Sequence, residues 1–360
     1  MSGGEDGPDT ARAAAARIAA RLATAGHVAY FAGGCVRDRL LGLHPKDHDV
    51  ATDATPDRVR EIFPRSRAVG EAFGVMLVRS GEHTIEVATF RCDGPYSDAR
   101  RPDQVHWSDA EGDAKRRDFT INGLFEDPAD GRIIDLVGGR EDLAAGIVRA
   151  IGDPHERLHE DRLRALRAVR FAARFGFRIE SATAEAIRRS GAGLAAVSRE
   201  RIGQELRPML AHPARARAVD LLHELELQPP VFGGFTAVPG PAGPGLRGLP
   251  AVGGDPVVAM AAWIADAAGG AVVASRDVAE AIIAGWRAAL VLSNRETDAL
   301  FGMLTTRADL LGPRAVQGPA ARKFRIERAA FAGVLRIERG VAPAAAARLA
   351  AEARRLAASG

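Results

Sequence analysis

The sequence predicts an α+β protein, a head built on a small mixed sheet followed by an all-helical remainder. Strand-like apolar segments are confined to the first third of the chain, and helix-period segments take over from Arg140 onward. Alanine is abundant while aromatic residues make up only 5% of the chain, a balance that favours helices over β-sandwich cores. At 360 residues the chain exceeds what one hydrophobic core usually supports, so two or more structural units are expected.

Met1–Thr10 is polar and acidic and reads as disordered; Ala11–Ala25 reads as an alanine-rich helix ended by Gly26. His27–Ala32 and His48–Thr52 read as strands. So do Val75–Arg79 and Thr84–Arg91, which Ser80-Gly81-Glu82-His83 joins as a hairpin. Between the first two strands, Gly33-Gly34 makes a tight turn into a helix start. Past Arg140 the apolar periodicity marks helices at Glu156–Phe175, Ala182–Arg189, Arg201–Leu210 and Pro213–Leu225, with Pro213 suited to a first turn. Pro229–Pro256 gathers prolines and glycines and reads as a long loop or junction. Pro256–Gly360 reads as further alanine- and arginine-rich helices.

Lys+Arg total 49 against 46 Asp+Glu, a formal charge of +3, too small an excess to signal nucleic-acid binding by itself. Arginines concentrate between Arg157 and Arg207 and from Arg322 to Arg339, as a solvated helix face or a phosphate-contacting one. Cys35 and Cys92 have neither metal-ligand spacing nor a partner cluster, which speaks against a zinc site or disulfide framework and fits a reducing compartment. No signal peptide and no bilayer-spanning apolar run is read, so a cytoplasmic location with no membrane partner is expected.

Asp47-His48-Asp49 is the most informative motif. On a strand the two carboxylates turn to one face, where they could share a divalent metal, and His48 turns to the other. Just upstream, Gly33 and Gly34 permit close approach of the backbone to a triphosphate, and Arg37 could add a charged fork, or else pair with Asp38 or Asp47. Glu86 lies on the strand face opposite Ile85 and Val87, as a third carboxylate near the metals or as an ordinary solvent-facing residue. Arg117 follows a basic run, where it meets either a phosphate or solvent, and Asp118 could cap a helix starting there.

In His159–Phe171, a continuous helix would gather Asp161, Arg164 and Arg167 on one face, opposite Leu163, Leu166 and Val169. An aspartate beside an arginine presents acceptors next to donors. That matches the edges of cytosine and adenine and mismatches guanine and uracil, although an intrahelical ion pair has the same spacing.

Taken in order, Gly33-Gly34-Cys35-Val36-Arg37-Asp38, Asp47-His48-Asp49, Arg116-Arg117-Asp118-Phe119-Thr120-Ile121-Asn122 and Glu160-Asp161-Arg162-Leu163-Arg164 resemble the class II tRNA nucleotidyltransferase family, the CCA-adding enzymes and their poly(A) polymerase relatives. The resemblance spans about residues 27 to 205. It implies a polymerase-β-like catalytic head over 11–140, a helical neck over 141–210, a body over 211–290 and a tail over 291–360. It further implies that Asp47 and Asp49 hold Mg²⁺, that Gly34, Arg37 and Arg117 contact the triphosphate, that Asp161 and Arg164 read the base, and that Arg167 and Arg170 support nucleotide binding. The implied substrates are CTP, ATP and the tRNA 3′ end, with no obligate protein partner. Arg162, where the family more usually has a small residue or proline, and His48 depart from its pattern.

Residues Asp93–Asp103 fill the interval whose loss marks CC-only members of that family, which disfavours CC-only addition. Complete CCA addition, terminal-A addition and poly(A) tailing share the remaining motifs. A catalytically silent RNA- or nucleotide-binding protein is the reading from another class, and the intact Asp47 and Asp49 speak against it.

Overall fold

The computed structural model describes residues 10–69, 73–94, 104–233, 239–252, 254–273, 275–312, 315–316, 318–326 and 329–358. Two compact units emerge, one of Met1–Asp161 with Arg178–Thr183, the other of Arg162–Phe177 with Ala184–Gly360.

The first unit runs α1 (Ala11–Thr24), β1 (Ala29–Ala32), α2 (Gly34–Leu40), β2 (Val50–Thr52), α3 (Pro56–Ile62), β3 (Arg67–Ala68), β4 (Val75–Ser80), β5 (His83–Thr89), β6 (Arg91–Asp93), β7 (Val105–Trp107), α4 (Ala110–Lys115), β8 (Leu124–Glu126), β9 (Ile133–Asp135), α5 (Gly139–Ala145), β10 (Ile147–Val148), α6 (Pro154–Glu160) and, after the excursion to the second unit, β11 (Arg178–Ile179). Its main sheet has the order β3-β4-β5-β2-β1-β8-β9. It is mixed because β2 and β5 are parallel while their other neighbours are antiparallel.

The two faces of this sheet have different tasks. Phe31, Val50, Met76, Val78, Ile85 and Val87 share one face by register and are buried, as are Ala14, Ile18 and Leu22 of α1, which packs against β1, β4 and β5. Burying this stripe contributes hydrophobic stabilisation to the unit. On the opposite face Ala32, Ala51, Phe90 and Phe125 pack with Ala114 of α4, and Phe90 meets Phe125 edge to face at 5.8 Å. That second face carries the polar residues considered below.

In the second unit α7 (Arg164–Phe175), the continuation of α8 (Ser181–Ser190), α9 (Arg199–Ala211), α10 (Arg215–Glu224), α11 (Gln228–Phe232), α12 (Pro244–Arg247), α13 (Pro256–Ala267), α14 (Arg276–Leu290), α15 (Asn294–Leu311), α16 (Pro319–Ile326), α17 (Ala330–Val341) and α18 (Pro343–Ala358) follow one another. Phe232, Trp263 and Trp286 form a buried cluster with ring centroids 4.9 to 5.6 Å apart. Edge-to-face packing of this kind suits the quadrupoles of the three rings.

Several expectations change. Thr10 is ordered as the N-cap of α1, its hydroxyl accepting from Ala13 N–H, while residues 1–9 of the segment read as disordered lie outside the described residues. Short strands persist past Arg140: β10 and β11 pair in parallel, each too short to leave a period-two signal. Glu156–Phe175 is two helices, α6 and α7, separated by Asp161–Leu163. Pro213 lies in the turn before α10 rather than in its first turn. The expected loop over Pro229–Pro256 contains most of α11 as well as α12, whose prolines occupy first-turn positions where a missing N–H costs nothing.

Candidate active site

Strand register assembles the acidic part of the site. Val50 of β2 pairs with Val87 of β5 and Ala51 with Ala88, so Asp49 and Glu86, each one residue earlier, are neighbours on the face that Ala51 shares. Ala32 N–H donates to the Asp49 carbonyl at 3.1 Å and Gly33 N–H to the Leu124 carbonyl at 2.9 Å, which fixes the glycine turn beside Asp49. The strand proper begins at Val50, so Asp47-His48-Asp49 is its extended approach rather than part of it. Alternation nonetheless survives. His48 is buried with its ring edge-on to Phe31 at 5.9 Å, whereas Asp47 is exposed and Asp49 partly so.

Charge is unbalanced at this point. Burial, then Glu86, then Asp47 push the Asp49 carboxyl up to about 6, and Arg117 offsets only part of this. Burial, then Asp49, push the neighbouring Cys35 thiol up to about 11, so it stays protonated and inert. Among the described residues no three His, Cys, Asp or Glu side chains close into a metal cage. An open set of oxygen donors short of positive charge fits a hard divalent cation that keeps waters and substrate oxygens among its ligands.

Arg117 stands over the glycine turn. Its guanidinium donates to the Asn122 carbonyl at 3.1 Å and to Asp113 Oδ2 at 2.9 Å, and lies 5.0 Å from the Phe125 ring centroid. A Cβ on Gly33 would come within 2.6 Å of Arg117 Nη1, and Gly33 has a φ of +70°. Glycine is therefore required here both by the backbone and by the arginine. Burial would raise Asp113, but Arg117 and Arg116 together hold it below the usual carboxylate range.

The structure engages Arg37 differently from a phosphate fork. It is buried, donating from Nε to Asp38 Oδ1 at 2.8 Å and from Nη1 to Asn122 Oδ1 at 2.5 Å. Asp38 was one of the two alternative partners expected for it, and here Arg37 organises the turn. Asp118 caps no α-helix: it accepts from Phe119 N–H at 2.8 Å and Asn122 Nδ2 at 2.9 Å ahead of a single 3₁₀ turn, Thr120–Asn122. Sequence reasoning overlooked Asp113 and Asn122. The signal for Asp113 was present, since Arg116 and Arg117 follow it at i+3 and i+4 on the end of α4.

Asp161 ends α6 as an extended C-cap, φ −143° and ψ 104°, whereas Arg164 opens α7. Helical spacing therefore does not put these two on one face. Aspartate competes for backbone hydrogen bonds and is a poor helix interior residue, which suits it to the break. Within the second unit, Arg164 is buried, and Arg167 and Arg170 of α7 converge on Glu205 of α9 at 3.9 and 2.7 Å. Arg170 also stacks on Phe171, 4.4 Å from its centroid. Arg162 donates to the Gly193 carbonyl at 3.2 Å, so its unusual charge is used in packing.

Residues 29–149 match the family described as the poly A polymerase head domain, and residues 176–238 match the probable RNA and SrmB-binding site of polymerase A. A CCA-adding enzyme of Lactobacillus helveticus is 43% identical over 207 residues, 57% of this chain and 52% of that one. Poly(A) polymerase I of Salmonella typhi is 42% identical over 230 residues, 61% and 49% of the two chains. The crystal structure of the Bacillus stearothermophilus CCA-adding enzyme in complex with CTP superposes with a TM-score of 0.74 at 32% identity, over 98% of this chain and 83% of that one. The chain spans about half the length of the curated relatives it matches.

Proposed function

The chain belongs to the nucleotidyltransferase family of CCA-adding enzymes and poly(A) polymerases, and from that premise we propose that it adds CCA to tRNA 3′ ends from CTP and ATP without a nucleic-acid template. The observation that supports this reading best is the placement of Asp49 beside Glu86 across β2 and β5, with Arg117 held over the adjoining glycine turn.

Asp47 and Asp49, with Glu86 as a third carboxylate, would hold Mg²⁺, which when bound stabilises phosphate charge and favours ionisation of the RNA 3′-hydroxyl. The protein's own groups do the positioning. Arg117, restrained by Asp113, offers its guanidinium to the triphosphate above Gly33 and Gly34, and Arg37 keeps Asn122 and the turn in place. No covalent enzyme intermediate is needed, because the 3′-hydroxyl attacks the α-phosphorus in line and pyrophosphate leaves.

The base-reading role of Asp161 as acceptor and Arg164 as donor for the cytosine or adenine edge rests on the family resemblance, as does nucleotide support by Arg167 and Arg170, which converge on Glu205. The helical part is assigned as neck, body and tail over 141–210, 211–290 and 291–360. The free thiols of Cys35 and Cys92 suit the cytoplasm. Among the described residues no helix is long and apolar enough to cross a membrane. Residues 95–103, most of the interval that disfavours CC-only addition, lie outside the described residues.

Similarity to a poly(A) polymerase at 42% identity keeps tailing as a second reading. Purified protein with Mg²⁺, CTP and ATP, offered one tRNA lacking CCA and one ending in CC, separates the activities at single-nucleotide resolution. Three additions on the first and one on the second establish CCA synthesis. One addition on the CC-ended RNA alone indicates a terminal-A enzyme, and an unbounded ladder with ATP a tailing polymerase. No extension of either RNA refutes the catalytic reading in favour of a silent binding protein.

A further inference from the structure

The sheet face that carries Asp49 and Glu86 does not end at β5. Glu86 pairs with Leu77 of β4, and Leu77 with Arg67 of β3, so Asp49, Glu86, Leu77 and Arg67 form one row across four strands. Neighbouring strands lie about 4.8 Å apart, which puts the Arg67 backbone roughly 14 Å from that of Asp49. Arg79 shares the Leu77 face of β4, two residues further along, opposite Thr84.

At this outer edge lies an open trough of about 1060 Å³ lined by Arg65, Ser66, Arg67, Leu77, Arg79 and Thr84, among others. The three arginines are exposed, and among the described residues none has a carboxylate within ion-pair distance. In this they differ from nearby Arg58 and Arg60 on α3, which pair with Glu61 and Asp57. Arg79 is restrained by a hydrogen bond from Nε to the Gly81 carbonyl at 3.2 Å. The hydroxyl of Ser66 is buried and makes no hydrogen bond among the described residues. The result is a cationic trough, far larger than one ion requires and without a carboxylate partner among the described residues, on the sheet face that also carries Asp49 and Glu86.

Resting on the activity proposed above, we propose that this trough carries the phosphodiester backbone of the RNA strand whose 3′ end reacts, with Arg67 and Arg79 contacting its phosphates. At the stacked spacing of about 3.4 Å per nucleotide, 14 Å corresponds to about four nucleotides upstream of the reacting end, and to fewer if the strand is extended. The contacts are to phosphate and not to bases, so they position the strand without reading sequence.

Arg67→Ala, Arg79→Ala and the double variant test this, since both side chains are exposed and, among the described residues, neither has a carboxylate partner. With tRNA lacking CCA, the double variant raises KM for RNA roughly tenfold and lowers the slope of log affinity against log salt by about 1.4–1.8, the sum for two phosphate contacts between single-strand and duplex character. Its kcat and its KM for CTP stay within about twofold of wild type. Neutral methylphosphonates placed singly at the last four phosphates weaken wild type at one or two positions and leave the double variant insensitive there. Unchanged KM and salt slope overturn the proposal, as they would if the trough held a protein. A loss confined to kcat or to CTP affinity overturns it too. Wild type that extends no RNA at all refutes the proposed activity itself, an outcome distinct from normal extension by both proteins.

Discussion

Asp49→Asn is expected to inactivate the enzyme and at the same time stabilise its metal-free fold. The Asp49 carboxyl stands at about 6 in place of 3.8, raised by burial and by Glu86 and Asp47. At about 1.4 kcal/mol per pH unit this is nominally about 3 kcal/mol against the ionised folded form, which partial exposure and solvent screening reduce to about 1–2 kcal/mol. The folded state holds the proton more tightly than the unfolded chain. The penalty is therefore absent below about pH 4, grows between about 4 and 6, and is complete above about 6. Urea denaturation in EDTA should show the variant more stable than wild type at pH 7.5 by about 1–2 kcal/mol, with the difference gone at pH 4. Adding Mg²⁺ should stabilise wild type and leave the variant nearly unchanged. A variant less stable than wild type at pH 7.5, or a difference indifferent to pH, would refute the reading of three mutually repelling carboxylates.

Asp47→Ala should abolish nucleotide addition and leave RNA affinity nearly intact, as gel-shift titration would show; loss of RNA binding would contradict its assignment to the metal. Gly33→Ala faces a φ of +70° and Arg117 Nη1 at 2.6 Å, so a cost of about 1–2 kcal/mol in urea denaturation and a raised KM for CTP are expected; wild-type CTP kinetics would argue against Arg117 at the triphosphate. Asp113→Asn should cost about 2–3 kcal/mol at pH 7 by unpairing two arginines and weaken CTP binding. Because Asp113 is held below the usual range, its contribution is present above about pH 4 and lost as pH falls through its folded value, so the variant and wild type should converge in acid denaturation.

The head was legible because its signals are local. Alternation around Glu86 and the Gly33-Gly34 turn follow from chain geometry, and the strands β1, β2, β4 and β5 were read within a few residues of their ends. β8 and β9 are three residues each and β3 two, too short for a period to register. Nor could the sequence show that β5 and β2 are parallel neighbours. Glu86 was a strand glutamate with two readings until the pairing of Val50 with Val87 put it next to Asp49. The break at Asp161 was hidden for the opposite reason, since the apolar stripe of Leu163, Leu166 and Val169 continues a helical pattern that the backbone enters only at Arg164.

Pairing is the property that single residues could not reveal, and it bears on how the site meets its substrate. Arg117 is held by Asp113, Arg37 by Asp38, and Arg167 and Arg170 by Glu205, so these cations already have carboxylate partners. Around Asp49 the balance is reversed: the repulsion of Asp47 and Glu86 exceeds the attraction of Arg117. A bare triphosphate entering such a site would gain little from arginines whose charge is partly spent and would be repelled by three carboxylates. A triphosphate carrying a divalent cation meets the opposite situation, because the cation neutralises the acidic row while the phosphates draw on guanidinium donors already oriented. Nucleotide affinity should therefore depend steeply on the metal, more so than RNA affinity, which under the proposal above draws on arginines of the β3–β4 edge that have no carboxylate partner among the described residues.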